Sequence, residues 1–270
     1  MINKKFVLII LLLAILAVFV PMLIPIEDEK KSTVSITFDT EYPYGVPSEL
    51  IDDVSEEAWI DTINSLNAMA ISNNVRFQFN IAGKTAEKYP DLIRQISENN
   101  DLSCHSYSHL RQTELNREEK QQELRRCKEV VENITGEKIL GNRFPYTNWE
   151  EESFEVLYEN GYKWDSSLWV LSLSDLQPYE KKGVIEFPIL TKDDYSFFIG
   201  EGNNDTEKFY NLIEKDINET RNQNVHYVVL LHPWVLSLDK ERIKGLEEFI
   251  KRLKYDNVDI KSLDEIYKEI

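Results

Sequence analysis

The sequence predicts an α/β protein built on a mostly parallel sheet. From residue 34 onwards, short segments rich in β-branched and aromatic residues alternate with amphipathic segments of helical length. This alternation is typical of βαβ units, whose strands run parallel. Hydrophobic residues make up 42% of the 270 residues and aromatic residues 11%, which is enough to form a core and excludes a disordered chain. No internal repeat divides residues 34–270, which we assign to one domain.

The alternating segments follow one another in a simple order. VSITFDTE (34–41) is the first predicted strand, and SEEAWIDTINSLNAMAIS (55–72) contains the first helix. Further strands are predicted within 75–83, 102–109, 139–146, 162–169, 184–190 and 226–233. Further helices are predicted within 90–99, 117–135, 150–161, 206–221 and 239–254, and residues 258–270 read as a last short strand and helix. Gly136 follows the helix predicted within 117–135, at the position of a C-terminal cap.

The N-terminus predicts a membrane anchor. Lys4 and Lys5 precede 21 residues without a polar side chain, Phe6 to Ile26. As a helix they would span roughly 31 Å, about the thickness of a bilayer core, although two prolines would shorten the regular part. No A-x-A-like cleavage site is visible, so we favour an uncleaved anchor (1–26) and a linker (27–33) over a cleaved signal peptide. The two lysines predict a cytoplasmic N-terminus and a catalytic domain outside the cytoplasm.

The net charge limits the possible binding partners, and the cysteines bear on the cellular compartment. The formal net charge is −17, which argues against nucleic acid and against an anionic membrane surface as the main partner. Cys104 and Cys127 are compatible with an oxidising compartment, but they do not require a disulfide. We expect a monomer whose contact with the membrane is made by the N-terminal helix.

Two carboxylates end the first strand. If the strand is regular, its side chains alternate, so Asp39 and Glu41 share one face and Thr40 lies on the other. That end of a parallel strand is where α/β folds place their sites. Two acids on one face would repel each other unless a cation or an arginine lies between them. The alternative is that both acids simply leave the core where the strand ends.

The four histidines of the chain include a close pair, His105 and His109, within the segment HSYSH. No glutamate follows His105, and the context is a strand followed by a turn, so this is not the helical zinc-protease motif. The pair is a candidate for two ligands of a divalent metal ion, with Ser106 and Ser108 available for nearby hydrogen bonds. Two structural histidines beside a turn are the alternative.

Other predicted strands also end in polar groups. Arg143 follows one strand, Asp165 lies in another, and His232 follows the apolar run YVVLL. A histidine at the end of a buried strand is, by itself, more often structural than catalytic. Several such strand ends in one chain instead indicate a common site.

Together these segments resemble the five ordered motifs of the polysaccharide deacetylase family, also called the NodB homology or carbohydrate esterase family 4 group. The corresponding segments are TFDTE (37–41), HSYSH (105–109), RFPY (143–146), WD (164–165) and LLHP (230–233). FQFNIAG also resembles the second strand of the family. The resemblance extends over residues 34–267 and implies a distorted (β/α) barrel with seven strands.

The resemblance also implies a metal-dependent hydrolase that removes N-acetyl, or alternatively O-acetyl, groups from a cell-envelope glycan. Asp39 corresponds to the general base, Arg143 to the residue that orients it, and His232 to the general acid. His105 and His109 correspond to metal ligands. The remaining correspondences are Asp165, which would tune His232; the backbone N–H of Tyr146, which would bind the oxyanion; and Trp164 and Leu230, which would line the substrate pocket.

One position departs from the family pattern. The residue that usually supplies the third ligand is Thr40 here, so we expect Glu41 to take this role in a D-x-E arrangement. The metal would be zinc, with cobalt, nickel or manganese as alternatives. Two other functions stay open: a non-catalytic glycan-binding module with a degenerate metal site, and an amidohydrolase acting on small cyclic amides.

Overall fold

The first strand, β1 (Thr33–Thr40), lies in the interior of the sheet and is buried along almost its whole length. It pairs in parallel with β2 (Gln78–Ile81) along one edge and with β10 (His226–Leu231) along the other. The computed structural model describes residues 32–190, 192–221, 223 and 225–270. Within that part of the chain, residues Ser32–Ile270 form one compact unit.

The remaining strands are β3 (Asp101–Cys104), β4 (Gly141–Asn142), β5 (Trp164–Asp165), β6 (Trp169–Val170), β7 (Tyr179–Lys181), β8 (Val184–Glu186), β9 (Ile189–Leu190) and β11 (Asp259–Ile260). Those that join the order of the main sheet extend it beyond β2, and β10 forms its other end. Seven strands pair in parallel in the order β10-β1-β2-β3-β4-β5-β8, and β7 is antiparallel at the edge. β11 pairs with β1, while β6 and β9 pair separately. The predicted parallel α/β sheet is confirmed. Among the described residues, however, no hydrogen-bonded pairing joins β8 back to β10, so the expected barrel is open.

Helices connect the parallel strands, as the alternation predicted. They are α1 (Glu56–Asn73), α2 (Gly83–Lys88), α3 (Pro90–Ser97), α4 (Arg117–Thr135), α5 (Glu151–Glu159), α6 (Thr206–Thr220), α7 (Pro233–Ser237), α8 (Lys240–Tyr255) and α9 (Leu263–Glu269). Asn116 begins α4 with a capping box that includes Glu119, and Gly136 ends it in the left-handed conformation, with φ of 75°. The short helices α2 and α7, the β7–β8 hairpin and the wide helical turn Tyr195–Gly200 were not predicted.

Alternation along β1 separates two environments. Val34, Ile36 and Phe38 belong to the main hydrophobic core. On the other face, Ser35 Oγ lies 2.8 Å from His226 Nε2, and Thr37 Oγ1 accepts a hydrogen bond from Arg143. Burial lowers the pKa of His226 to about 3, so this histidine is a neutral structural residue.

Two further predictions concern the ends of the chain and its cysteines. No helix of the described residues is long and apolar enough to cross a membrane. The predicted anchor, residues 1–26, lies outside the described residues. Cys104 at the end of β3 and Cys127 on α4 form a disulfide, with a Cα–Cα distance of 6.0 Å, which the sequence alone did not require.

Candidate active site

The carboxyl ends of the parallel strands surround a cavity of about 340 Å³. Asp39 and Glu41 line it from the end of β1, and His105 and His109 line it from the segment after β3. Leu230 and His232 reach it from the end of β10. These residues come from three strand ends, and the cavity lies where parallel α/β folds carry their sites.

Glu41 lies between the two histidines. Its Oε2 atom is 3.0 Å from Nε2 of His105 and 2.8 Å from Nε2 of His109. One carboxylate oxygen and two imidazole nitrogens can therefore reach a common point, and their ligand atoms lie within 4.8 Å of one another. Thr40 faces the opposite way, with its hydroxyl bonded to the carbonyl of Phe38. The predicted grouping of Glu41 with both histidines is thus present in the fold.

The hydrogen bonding of the histidines fits a metal ion. Nδ1 of His105 donates to the carbonyl of Arg143 at 2.8 Å, which leaves Nε2 as the ligand atom. Nδ1 of His109 is buried without a hydrogen-bond partner among the described residues, and Nε2 lies 2.8 Å from Oε2 of Glu41. Buried polar atoms rarely stay unpaired. A two-histidine, one-carboxylate set is also a donor set that zinc and similar ions accept.

The segment that carries the histidines is held by α4. Ser106 and His109 adopt φ values of 52° and 61°, a left-handed conformation that is unfavourable for non-glycine residues. The carboxylate of Glu123 on α4 accepts hydrogen bonds from the backbone N–H groups of Tyr107 and Ser108 and from the hydroxyl of Ser108. These three hydrogen bonds offset the local strain and position the ligands.

Glu41 is oriented by two residues that the motif comparison did not assign. Nε1–H of Trp234 donates to Oε1 of Glu41 at 2.9 Å, so that Oε2 faces the histidines. Gly45 packs directly against the same side chain, where a Cβ atom would overlap the carboxylate. Burial acts to raise the pKa of Glu41, but the His109 charge and the hydrogen bonds of both histidines lower it well below its usual value. Glu41 is therefore ionised and available as a ligand.

Asp39 lies next to the cluster of Glu41, His105 and His109, and hydrogen bonds from Asn80 and Arg143 hold its carboxylate. Its Oδ1 atom accepts from Nδ2 of Asn80 at 2.6 Å and from the Arg143 guanidinium at 3.2 Å. Oδ2 is 3.9 Å from Nε2 of His105. The contact between Arg143 and Asp39 is the one that the resemblance implied.

His232 faces the cavity and is paired with Asp194. Its Nδ1 lies 2.7 Å from Oδ1 of Asp194, and its backbone N–H donates to Oδ2 of the same carboxylate at 2.8 Å. Burial acts to lower the pKa of His232, but the charge and the hydrogen bond of Asp194 raise it to about 10. His232 is therefore protonated at neutral pH, with Nε2 left for a ligand.

The predicted role of Asp165 is wrong. Asp165 accepts a hydrogen bond from Asn142 and lies opposite Glu186 on β8, on the outer side of the sheet. The neighbouring residue Ser166 contacts Arg143 on the inner side, and alternate residues of a strand point to opposite faces. Asp165 therefore does not contact His232, and Asp194 occupies the place expected for it.

Trp164 also lies elsewhere than predicted. It is fully buried against Phe187, and its indole N–H donates to Asp264. Trp164 is therefore part of a hydrophobic cluster and does not line the cavity. Trp169 and Tyr195 line the cavity instead. Tyr146 and Leu230 also line the cavity, and Tyr146 adopts a φ of 57°.

Comparison with known proteins identifies the family of the chain. The sequence profile described as "Polysaccharide deacetylase" matches residues 26–164. The chain belongs to the polysaccharide deacetylase family. His232 and Asp194 lie beyond the matched segment, so the roles considered for them depend on the geometry given above.

Relatives of this polysaccharide deacetylase-family chain include both uncharacterized and named proteins. An uncharacterized 30.6 kDa protein of Geobacillus stearothermophilus is 23% identical over 244 residues, covering 90% of this chain and 73% of that protein. The peptidoglycan-N-acetylmuramic acid deacetylase PdaC of Bacillus subtilis is 28% identical over 109 residues, covering 40% of this chain. The match spans only 22% of PdaC.

Solved structures share the fold. A Mycobacterium smegmatis protein assigned to the polysaccharide deacetylases superposes with a TM-score of 0.78 at 24% identity, covering 90% of this chain and 91% of that one. A family 4 pseudoenzyme from Bacillus anthracis superposes with a TM-score of 0.61 at 14% identity, covering 88% and 66%. At these identities the similarity shows the fold alone, so activity has to be argued from the site.

The residues of this site that reasoning from the sequence missed include Asp194, Trp234, Glu123 and Gly45. Trp234 follows the LLHP segment directly, and its indole is the one clue that the sequence offered. Asp194 lies in a segment without any motif, and Glu123 looks like a surface residue of an amphipathic helix. Gly45 carries no functional group, so its effect is visible only through what it packs against.

Proposed function

We propose that the protein is a metal-dependent deacetylase of N-acetylated glycans. The observation that carries this proposal is the convergence, in one cavity, of a Glu41–His105–His109 cluster with Asp39 and a protonated His232. A carboxylate base and an imidazolium acid line the same cavity as the three ligand atoms. This is the set of groups that amide hydrolysis needs.

Each residue of the cavity would have a separate role in hydrolysis. A divalent cation held by Glu41, His105 and His109 would polarise the acyl carbonyl as a Lewis acid. Asp39, held by Arg143 and Asn80, would accept a proton from the attacking water. His232 would donate its Nε2 proton to the departing nitrogen, while Asp194 stabilises its charged form. The products would be acetate and a free amine on the sugar.

The location and the substrate extend this proposal. The apolar N-terminal segment supports an anchored enzyme whose domain lies outside the cytoplasm, where the envelope glycan is found. A disulfide between Cys104 and Cys127 is compatible with that compartment. The named relative PdaC acts, by its description, on the N-acetylmuramic acid of peptidoglycan. We therefore extend the proposal to peptidoglycan or a related N-acetylated wall polymer, with zinc as the preferred metal.

Acetate release tests the proposal directly. The full-length protein in detergent, loaded with Zn²⁺ or Co²⁺, would be incubated with N-acetylglucosamine oligomers and with purified peptidoglycan, and acetate would be measured. We expect release that the chelator-treated enzyme and the His105→Ala variant do not show. If all three preparations give the same acetate signal on both substrates, the protein is not a deacetylase of these glycans.

A further inference from the structure

Arg111 is the only arginine or lysine among the described residues that line the active-site cavity. Its guanidinium carbon lies 4.1 Å from the centroid of the Tyr146 ring, a cation–π contact. The Tyr146 ring in turn packs 4.7 Å from the ring of His109. One aromatic ring therefore separates the guanidinium from a candidate metal ligand.

Hydrogen bonds between two segments of the chain hold Arg111 in position. The backbone N–H and the hydroxyl of Thr113 both donate to Oδ1 of Asn148, at 3.0 and 2.9 Å. These hydrogen bonds join the segment that carries Arg111 to the segment that carries Tyr146. Arg111 thus keeps its place at the cavity although its side chain is exposed.

Arg111 forms no ion pair with another described residue. In the part of the chain that the structure describes, no carboxylate oxygen lies within 4.0 Å of its guanidinium, whereas Arg117, Arg126 and Arg221 each pair with a carboxylate. Arg125 and Arg242 also form no ion pair with a carboxylate among the described residues, but neither lines the cavity. Stacking uses the face of the guanidinium and leaves its N–H groups, which lie in the plane, free for a bidentate acceptor.

The surroundings bear on the charge of that acceptor. Asp39, Glu41 and Asp193 line the same cavity together with His232, and a bound divalent cation and the imidazolium would offset the charge of these three carboxylates. One guanidinium matches one negative charge. A carboxylate is the monoanion whose two oxygens fit the fork of an arginine side chain.

We propose that Arg111 binds a carboxylate of the substrate, so that the preferred glycan carries a carboxylate close to the acetamido group that is hydrolysed. The inference rests on the proposed function and names its substrate class. Two sources share this chemistry: a lactyl ether carboxylate on the acetylated sugar itself, as in N-acetylmuramic acid, and a uronic acid on the neighbouring sugar. Trp169 and Tyr195 line the same cavity and offer aromatic surfaces for the sugar rings.

The test compares matched substrates on matched variants. One pair is an oligosaccharide containing N-acetylmuramic acid and the same compound with its carboxylate converted to the amide. The second pair is an N-acetylglucosamine–glucuronic acid oligosaccharide and its amide. kcat/KM would be measured for the wild type, Arg111→Ala and Arg111→Gln. Arg125→Ala is the control, because Arg125 is also exposed but lies on α4 outside the cavity.

We expect the wild type to prefer one carboxylate compound over its amide by about 10- to 100-fold, the range for a hydrogen-bonded charge pair. In both Arg111 variants this ratio falls to near one, whereas Arg125→Ala keeps it. The pair that shows the preference identifies the source of the carboxylate. A wild-type ratio near one for both pairs, or a ratio that survives in Arg111→Ala, overturns the inference.

A binding measurement separates this inference from the proposed function. Calorimetric titration of the same four saccharides into the zinc-loaded Asp39→Asn variant, with and without Arg111→Ala, requires no turnover. If no glycan yields acetate, the proposed function fails, while an Arg111-dependent preference for carboxylate in binding still supports the inference. Acetate release together with equal binding of acid and amide refutes the inference alone.

Discussion

Nδ1 of His232 lies 2.7 Å from Oδ1 of Asp194, a residue 38 positions earlier in the chain. The other oxygen of the same carboxylate accepts the backbone N–H of His232. One buried carboxylate thus sets the orientation and the charge of the candidate general acid. Asp194 belongs to none of the five motif segments, and it takes the place in which Asp165 was expected.

Replacing Asp194 by asparagine should remove the charge that keeps His232 protonated. Burial would then dominate and lower the pKa of His232 from about 10. A general acid works only while it is protonated, so activity that the wild type loses as pH rises toward about 10 should be lost at a lower pH in Asp194→Asn. At pH 8 we expect kcat/KM to fall by about 10²- to 10⁴-fold, the usual contribution of general acid catalysis.

Asp165→Asn is the matched control for this measurement. Its kcat/KM and its pH profile should stay within about threefold of the wild type, because Asp165 faces away from the cavity. A large loss in Asp165→Asn with little effect of Asp194→Asn would restore the original assignment and contradict the geometry.

Glu41 should decide whether the protein binds metal. Glu41→Ala leaves both histidines in place but removes the carboxylate that lies 3.0 and 2.8 Å from them. We expect stoichiometric zinc in the wild type after dialysis and an affinity at least about 100-fold weaker in the variant. Metal analysis and competition with a chromogenic chelator measure both.

Thr40→Val serves as the control for that experiment. It changes the position where the family usually has its third ligand, yet the Thr40 hydroxyl points away from the cavity toward the carbonyl of Phe38. Retention of zinc by Glu41→Ala, or its loss from Thr40→Val, would show that Glu41 is not the third ligand.

Gly45→Ala should weaken metal binding without altering any ligand. A Cβ atom at this position would overlap the carboxylate group of Glu41 and displace it from the histidines. We expect about a 10- to 100-fold loss of zinc affinity, as is typical when a supporting residue of a metal site is changed. Gly200→Ala is the control, because a Cβ there meets nothing nearer than 3.8 Å. Equal zinc affinity in both alanine variants would dismiss this packing role.

A buried pair of acids on the outer side of the sheet should make stability depend on pH. Burial and the neighbouring Asp165 raise the pKa of Glu186 well above its usual value. The folded protein then keeps a proton that the unfolded chain releases above its own pKa of about 4.5, so the free energy of unfolding falls as pH rises beyond that value.

Glu186→Gln should remove this dependence. The amide oxygen can still accept from the N–H groups of Ser167 and Leu168, and the amide nitrogen can donate toward Asp165. Relative to the wild type, we expect no gain at pH 4 and a stabilisation at pH 8, because only the unfolded wild-type chain gains stability by releasing this proton as pH rises. Urea unfolding at both pH values measures the difference. A variant that is equally destabilised at pH 4 and pH 8 would indicate that the carboxylate acts only through its shape.

Reasoning from the sequence succeeded where local geometry decides the outcome. The alternation of β1 placed Asp39 and Glu41 on one face and Thr40 on the other, and the fold shows this arrangement. The order of strands and helices predicted the parallel sheet, because βαβ connections leave few alternatives. The segment WD failed by the same rule: two residues do not reveal which of them faces inward.

The sequence by itself therefore determined the α/β class, the strand ends that carry polar groups and the pairing of His105 with His109, since each depends on periodicity or on neighbours within a few residues. Only the tertiary structure decided that Asp194 holds His232, that Trp234 and Gly45 position Glu41, and that Trp169 replaces Trp164 at the cavity. These contacts join segments from 4 to 193 residues apart, and all but the shortest depend on how separate strands and turns pack. Their side chains carry no local signal of that packing, because each would satisfy the same local preferences anywhere on the surface.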